Sequence, residues 1–198
     1  GAARGGHVRE LAYNWQANGF ITGDLSLRAP HLFDTYDIKD MAYSKAPYPV
    51  VWFVSTSGKL LGLTYVPEQQ IGAWHQHDTD GTFESCAVVA EGNEDRLYAV
   101  VQRTINGVSK RYVERLASRQ FVDQADAFFV DSGLTYDSTP ATTISGLSHL
   151  EGKTVSILAD GAVHPQRVVT SGSITLDNAA STVHIGLPIE ADLQTLPM

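Results

Sequence analysis

The fold is decided by residues 49–66, which read PVVWFVSTSGKLLGLTYV. β-Branched and aromatic side chains, which suit a pleated and half-buried backbone, fill two runs on either side of residues 56–59. The serine and glycine between the runs favour turn conformations that the interior of a strand does not use. The segment therefore predicts two antiparallel strands joined by a tight turn.

The same alternation of apolar runs and turns continues as far as Leu116. Asn106 and Gly107 form a dipeptide that fits a two-residue hairpin turn, because both turn positions need positive φ. The pattern predicts an antiparallel meander with strands at 49–55, 60–66, 70–77, 83–90, 97–105 and 109–116. This spacing suits either a sandwich or propeller blades. Residues 49–90 have the length of one four-stranded blade, about 40 to 45 residues, so propeller-like packing is predicted.

A different pattern precedes the meander. Residues 24–33 and 38–43 carry the helical signal of the N-terminal part. Pro30 interrupts that signal, because proline removes a backbone donor and clashes with the preceding turn. Residues 1–47 are therefore predicted to be a segment with short helices, followed by the meander at 48–120.

The C-terminal part changes composition again after Phe121, toward Ser, Thr, Gly and Asp. Residues 121–198 predict a small β-barrel or sandwich. Its strands are expected at 142–145, 154–159, 167–171, 173–176 and 182–187. The predicted fold class is thus mainly β, with an antiparallel, partly propeller-like meander between a short helical segment and a small β domain.

Composition limits the classes of function. Fourteen Lys and Arg stand against twenty-two Asp and Glu, a formal net charge of -8, so sequence-specific DNA binding is not expected. The single cysteine, Cys86, excludes an intrachain disulfide and a cysteine-based zinc site, which fits assembly in a reducing cytoplasm. The longest apolar runs are far shorter than the roughly 18 residues of a membrane-spanning helix, so no membrane segment is expected.

Two patterns are candidates for a metal site. His75 and His77 share a face of a predicted strand, with Asp78 or Glu84 nearby, but zinc needs a third protein ligand that the spacing does not supply. Residues 78–81, Asp-Thr-Asp-Gly, begin like a calcium loop, yet no glutamate closes the loop about 12 residues on. Edge-strand or interface histidines and a hairpin turn are the favoured interpretations, and no metal or other cofactor is predicted.

Catalytic groups are the next candidates. A glycosidase needs two carboxylates at a set separation. The sequence alone cannot pair the available acids, which are Glu68, Glu84, Asp95 and Glu114. Cys86 lies in a run whose second half is apolar, which favours a buried thiol over a nucleophile. The sequence has no Gly-x-Ser-x-Gly motif and no glycine-rich phosphate loop, so the chain is predicted not to be an enzyme.

Basic residues cluster around the last predicted hairpin, with Tyr112 between them: Arg103, Lys110, Arg111, Arg115 and Arg119. A basic patch with an aromatic residue can bind single-stranded nucleic acid. The same arrangement suits cross-strand ion pairs with Glu114 and neighbouring acids, which are common in sheets. Cross-strand pairing is the favoured interpretation.

Nearly the whole chain resembles a known family of proteins. The main blocks are GLTY at 62–65, EQQ at 68–70, AWHQHDTDG at 73–81, VVQRTING at 100–107, RYVERL at 111–116 and ISGLSHLEGKTV at 144–155. Shorter blocks are VREL at 8–11, DL at 24–25, HLF at 31–33 and ADG at 159–161. Together these residues resemble the tail nozzle or tail tubular proteins of short-tailed bacteriophages.

The resemblance implies a six-fold ring in the tail, built partly on a β-propeller, that lets DNA leave the capsid after adsorption. It implies an internal fragment of a longer virion protein, assembled in the host cytoplasm, with other tail proteins and copies of itself as partners. DNA would pass without sequence-specific binding, because an acidic wall does not grip phosphates. The acids predicted to face this lumen are Glu91, Glu94, Asp95 and Asp160.

A second function, from another class, is a tail-associated module that binds or hydrolyses host glycans. Aromatic faces can stack on sugar rings, since they offer a large apolar surface beside a polar group. The candidate side chains are Trp15, Trp52 and Trp74. Release of reducing ends from host polysaccharide would favour this alternative over a structural role.

Overall fold

In a computed structural model of the chain, residues 7–69 and 71–193 are described. Thirteen strands within these residues form four antiparallel sheets, of two, four, three and four strands. The chain divides into two compact units, one of Gly1–Arg103 with Arg111–Leu116 and one of Thr104–Lys110 with Ala117–Met198. The predicted mainly β fold class is confirmed.

Nine strands in three sheets build the first unit. Strands β1 and β2 form a hairpin, β3 to β6 form a four-stranded sheet in chain order, and β7 to β9 form a three-stranded sheet. Their bounds are Arg9–Asn14, Gly19–Asp24, Ile38–Ser44, Val50–Ser55, Leu60–Val66, Ile71–His77, Thr82–Glu91, Glu94–Ile105 and Val108–Arg115. The strands predicted between residues 49 and 116 are all present, and Gln70, the first residue of one of them, lies outside the described residues.

The sheet β3–β6 has a core on each face, because successive side chains of a strand point to opposite sides. On one face, Phe53 shares a cluster with Phe33 of the N-terminal segment. On the other face, Trp52 and Val54 share a cluster with Leu97 of β8. Burial on both faces explains why residues 50–54 form an uninterrupted apolar run.

The meander breaks at residues 78–81, so the hairpin turn predicted there is wrong. These residues join β6, the edge of one sheet, to β7, the edge of another. Arg103 Nη1 donates a hydrogen bond to the carbonyl oxygen of Asp80 at 3.0 Å. A Cβ on Gly81 would lie 2.5 Å from the carbonyl oxygen of Gln102, so only glycine permits this approach. Contacts with β8 therefore direct the chain away from β6.

The turn between β8 and β9 is the hairpin that the sequence predicted. Asn106 has a φ of 50° and Gly107 has a φ of 75°. Both values lie in the left-handed region that a two-residue turn of this type requires. The prediction is confirmed.

The N-terminal segment is mainly strand, and the helices predicted there are largely wrong. Within the described part of 1–47, the helical content is one 3-10 turn at Pro30–Leu32. Residues 38–43 belong to β3, which pairs antiparallel with β4. Helix propensity is a weak preference, and pairing with an apolar strand overrides it. The β1–β2 hairpin was not predicted at all.

The second unit is one sheet with the strand order β10-β13-β11-β12. The strands are Asp131–Ser145, Thr154–Ala159, Ala162–Val168 and Ser173–Leu187. The two long strands pair with a register shift between Asp137 and Ala141, which is where Pro140 is accommodated. Ile144 and Ile185, from opposite halves of this ladder, belong to one core cluster.

The strands predicted for the second unit agree only in part with those observed. The strand at 154–159 is confirmed. The strands predicted at 173–176 and 182–187 are one strand, because β13 pairs with β10 on both sides of the polar stretch between them. Asp160 also accepts hydrogen bonds from the backbone N–H groups of Ser181 and Thr182. The strand predicted at 167–171 is largely wrong, because β12 runs from Ala162 to Val168 and shares only residues 167 and 168 with it. Within the described residues, the sheet does not close into a barrel.

Candidate functional site

His75 and His77 lie on one face of β6, as predicted, and contact each other. His75 Nδ1 lies 2.8 Å from His77 Nε2, and each ring centroid lies 5.6 Å from that of the buried Trp52. Gly62 leaves room for the His75 ring, because a Cβ on Gly62 would overlap the imidazole. A hydrogen bond between two imidazoles needs one neutral ring as acceptor. The pair is therefore part of the packing around Trp52.

The acids predicted as additional metal ligands have cationic partners. Asp78 lies 3.7 Å from Lys59 Nζ. Glu84 forms an ion pair with Arg111. Across residues 7–69 and 71–193, no group of three His, Cys, Asp or Glu side chains is arranged to hold a metal ion.

Arg103 is only 2% exposed and is held by a two-point ion pair. Its Nε lies 2.6 Å from Glu114 Oε1, and its Nη2 lies 2.7 Å from Glu114 Oε2. The remaining arm of the guanidinium reaches the Asp80 carbonyl oxygen. Matched fork geometry of this kind offsets the lost hydration of a buried charge. The guanidinium occupies the position that a cation bound to the Asp80 carbonyl oxygen would take. Arg103 therefore stabilises the loop at residues 78–81, which resembled the start of a calcium site in sequence.

The outer basic residues are paired across the three-stranded sheet. Arg111 donates to both carboxylate oxygens of Glu84, at 2.6 and 3.0 Å. Arg115 donates to Glu91 at 3.0 Å, and Glu91 also accepts a hydrogen bond from the Tyr98 hydroxyl. Hydrogen bonding with Arg111 lowers the pKa of Glu84, and bonding with Tyr98 and then Arg115 lowers the pKa of Glu91. Cross-strand pairing is therefore confirmed for these arginines, while Lys110 and Arg119 are exposed.

Three of the four acids considered for glycoside hydrolysis are held by partners within the chain. A catalytic acid needs a raised pKa. The pKa of Asp95 is instead lowered by hydrogen bonds from the backbone N–H groups of Lys45 and Ala46, at 2.7 and 3.1 Å. Glu84 and Glu114 each bind an arginine. The fourth candidate, Glu68, is exposed in a 3-10 turn.

The four acids predicted to face a lumen all have partners within the chain. Glu91 binds Arg115, and Glu94 lies 3.0 Å from Arg96. Asp95 and Asp160 accept hydrogen bonds from backbone N–H groups. Contacts within the chain are thus sufficient to account for these four acids. That the acids face a lumen stays a prediction.

Cys86 packs beside the cluster that contains Trp52 and Val54. Burial, followed by the nearby charge of Asp40, raises the pKa of the thiol to about 11. A thiol with this pKa is protonated at neutral pH and is a poor nucleophile. Its surroundings agree with the predicted packing role.

The three tryptophans differ in exposure. Trp52 is buried and donates to Ser44 Oγ at 3.0 Å. Trp74 is half-buried and donates to the Leu25 carbonyl oxygen at 2.7 Å. Trp15 is 79% exposed in the turn between β1 and β2. Of the three, Trp15 is the most exposed, and a stacking role on sugars stays a prediction.

The β1–β2 hairpin carries a surface that sequence reasoning missed. Its exposed apolar side chains, here called the hairpin surface, are 45 to 79% exposed: Leu11, Tyr13, Trp15, Phe20 and Ile21. Residues 11–23 contain no charged side chain. The sequence feature that could have predicted this surface is the absence of charge from a run of apolar and aromatic residues. Exposed apolar surface of this kind marks sites of interaction.

Hydrogen bonds hold the hairpin in a defined conformation. Asn14 Oδ1 accepts from the backbone N–H of Ala17 at 2.9 Å, and the Tyr13 hydroxyl donates to Asn18 Oδ1 at 3.2 Å. Glu10 of β1 accepts a hydrogen bond from the hydroxyl of Tyr65 in β5. The hairpin surface is therefore presented on an ordered support, anchored to the four-stranded sheet.

No protein-family model matches the chain, and no curated protein sequence matches it. In the part of the chain that the structure describes, no helix has the length and apolar character needed to cross a membrane.

Proposed function

We propose that this protein is a structural subunit of the tail tube or nozzle of a short-tailed bacteriophage and helps to form the conduit through which DNA leaves. The observation that carries the proposal is the hairpin surface. A subunit of an assembly buries such a surface against a neighbour, whereas a solitary protein would leave it in water at a cost in solubility.

The distribution of charge supports passage of DNA without retention. The chain has a formal net charge of -8. The buried Arg103 and the exposed Arg111 and Arg115 are each bound to a glutamate. Paired arginines in an acidic protein attract phosphates weakly, so a wall built from such subunits would not hold the nucleic acid.

The partners in this proposal are other tail proteins and further copies of the same chain, in the six-fold ring that the resemblance implies. The location is the virion tail, after assembly in the host cytoplasm. The sheet β3–β6, which has a core on each face, and the sheet β7–β9, whose strands are linked by ion pairs, would together provide a rigid wall. The proposal assigns no reaction to the protein.

Labelling of intact particles tests the proposal. Gold-labelled antibody raised against this chain should mark the tail of a phage that encodes it, and mass spectrometry of isolated tails should find several copies per particle. Label on the capsid, or particles that lack the chain, would contradict the proposal.

One observation favours glycan binding as a second candidate. Tyr13 and Phe20 are cross-strand partners whose ring centroids lie 5.6 Å apart, close in sequence to the exposed Trp15. Exposed aromatic rings on an ordered hairpin can stack on sugars. Binding of host polysaccharide that is lost in Trp15→Ser would support this candidate, and release of reducing ends would contradict a purely structural role.

A further inference from the structure

The second unit contains an open pocket of about 550 Å³. Residues 121–130, which precede β10, form one wall, and β11 and β12 contribute the other. The larger apolar side chains of the lining include Phe121, Phe129, Ile157, Leu158 and Val163. Pockets of roughly 300 to 1,000 Å³ accommodate drug-sized groups, so an indole ring fits here with space for a neighbouring side chain.

The wall at 121–130 is fixed to the sheet behind it. The buried His184 places Nε2 2.8 Å from the carbonyl oxygen of Ala125 and Nδ1 2.8 Å from Thr135 Oγ1. The ring of Phe128 packs edge-on against the same histidine, with the centroids 5.3 Å apart. The pocket is therefore preformed, which lowers the cost of ordering it when a ligand binds.

The pocket is suited to a neutral, apolar occupant. Among the described residues that line it, none is Asp, Glu, Lys or Arg. Several of its polar side chains are already engaged: Gln166 Nε2 donates to Ser156 Oγ at 3.2 Å, and the two ring nitrogens of His164 lie 2.7 and 3.0 Å from backbone groups. Because the described lining offers no charged side chain, a charged ligand would lose hydration without gaining an ion-pair partner.

We propose that the occupant is the hairpin surface of a second copy of this chain, with Trp15 inserted into the pocket. Charge favours this pairing. Two copies with a net charge of -8 repel each other where their charged surfaces meet, whereas residues 11–23 and the pocket lining bring no charge together. An ordered turn that presents an exposed tryptophan also matches the anchor that dominates many interfaces.

This contact is heterologous, because it joins two different surfaces. A pair joined in this way still has one unoccupied hairpin surface and one unoccupied pocket. Contacts of this type repeat in one direction and produce a ring if the rotation closes, or a filament if it does not. The inference rests on the proposed function in so far as it names the partner through which the tail subunit assembles.

Sedimentation velocity of the full chain over a range of concentrations tests the contact. The natural chain should form oligomers larger than dimers, and Trp15→Ser should weaken association at least tenfold. Val163→Glu should do the same, because Val163 is 87% exposed and a glutamate there adds charge to the pocket without entering the core. An equal mixture of the two variants should give a one-to-one complex and nothing larger, since one intact surface of each kind remains.

Matched substitutions serve as controls. Leu27→Ser and Val113→Glu change side chains that are 73% and 74% exposed and lie outside both surfaces, so both variants should associate like the natural chain. A natural chain that stays monomeric at several hundred micromolar would overturn the proposal. Normal association of Val163→Glu, or a mixture of the two variants that stays monomeric, would also overturn it.

Tryptophan fluorescence gives a second readout. Trp15 is exposed, whereas Trp52 and Trp74 are buried or half-buried, so docking should blue-shift the emission and reduce quenching by acrylamide as concentration rises. Antibody labelling of virions separates this inference from the proposed function. A monomeric chain found in the tail would overturn the docking alone, and a self-associating chain missing from particles would overturn the tail assignment alone.

Discussion

The β1–β2 hairpin and the sheet β7–β9 expose strand surface to water with opposite chemistry. The sheet covers its outer face with charges that are paired inside the chain, such as Arg111 with Glu84 and Arg115 with Glu91. The hairpin has no charge between residues 11 and 23 and exposes apolar rings. The sheet therefore pairs its charged side chains within the chain, whereas the hairpin leaves its apolar side chains exposed.

The largest expected effect comes from breaking the buried pair in the sheet. Glu114→Ala should lower the free energy of unfolding by about 3 kcal/mol, because it leaves the guanidinium of Arg103 buried without its carboxylate. Urea denaturation followed by circular dichroism measures this loss. Glu84→Ala is the matched control at an exposed pair and should have a much smaller effect. Equal losses in both variants would mean that burial does not distinguish the inner pair from the outer one.

A smaller effect is expected where the hairpin is anchored. The hydrogen bond to Glu10, followed by burial, raises the pKa of Tyr65 to about 12, from about 10 in an unfolded chain. The stabilisation is therefore complete below about pH 10 and is lost as the pH rises toward 12. Tyr65→Phe should cost about 1 kcal/mol at pH 8, a typical net hydrogen bond, and should remove this alkaline dependence. Unfolding free energies between pH 8 and 11, with tyrosinate absorbance at 295 nm, check the prediction, and an unchanged slope in the variant would refute it.

The outer ion pairs should make the sheet sensitive to acid. The pKa values of Glu84 and Glu91 are lowered in the folded state by Arg111 and by Tyr98 with Arg115. Their stabilisation is therefore complete above the unfolded pKa of about 4.5 and is lost as the pH falls through the lower folded values. Amide hydrogen exchange between pH 3 and 6, corrected for intrinsic rates, should show strand β9 losing protection. The uncharged residues 11–23 provide the internal comparison. If they lost amide protection over the same pH range as β9, protonation of Glu84 and Glu91 would not be the cause.

The smallest effect on folding is expected in the hairpin surface itself. Trp15→Ser should change the free energy of unfolding of the monomer by no more than about 0.5 kcal/mol, because the ring is 79% exposed. Thermal unfolding at a concentration where the chain is monomeric measures this. A loss of 2 kcal/mol or more would show that Trp15 belongs to the fold, and the contrast with the sheet would disappear.

Sequence reasoning succeeded where local chemistry decides the backbone. The break at residues 56–59 and the Asn106-Gly107 turn locate the strands of the meander, since turn residues and β-branched runs act over a few positions. It failed where distant contacts decide. The local sequence predicted a helix at residues 38–43, but these residues pair with β4 as a strand. It predicted a hairpin turn at residues 78–81, but contacts with Gln102 and Arg103 hold these residues against β8.

The candidate surfaces were harder to predict than the strands. Whether a tryptophan is buried depends on the sheets that pack over it, so Trp15, Trp52 and Trp74 were indistinguishable in sequence. The ion pairs of Arg111 and Arg115 were foreseeable, because opposite charges on neighbouring strands commonly pair. The pocket in the second unit depends on how residues 121–130 fold back onto a sheet, which no local pattern encodes.

The double core of the sheet β3–β6 has a consequence for how this chain tolerates change. Strand β4 sends Phe53 to one cluster and Trp52 and Val54 to the other, so these neighbouring positions have no side that faces water. A random substitution there meets a close-packed neighbour in either direction. Amino-acid substitutions should therefore accumulate in loops and on the outer strands, whereas the sequence of β4 should change little.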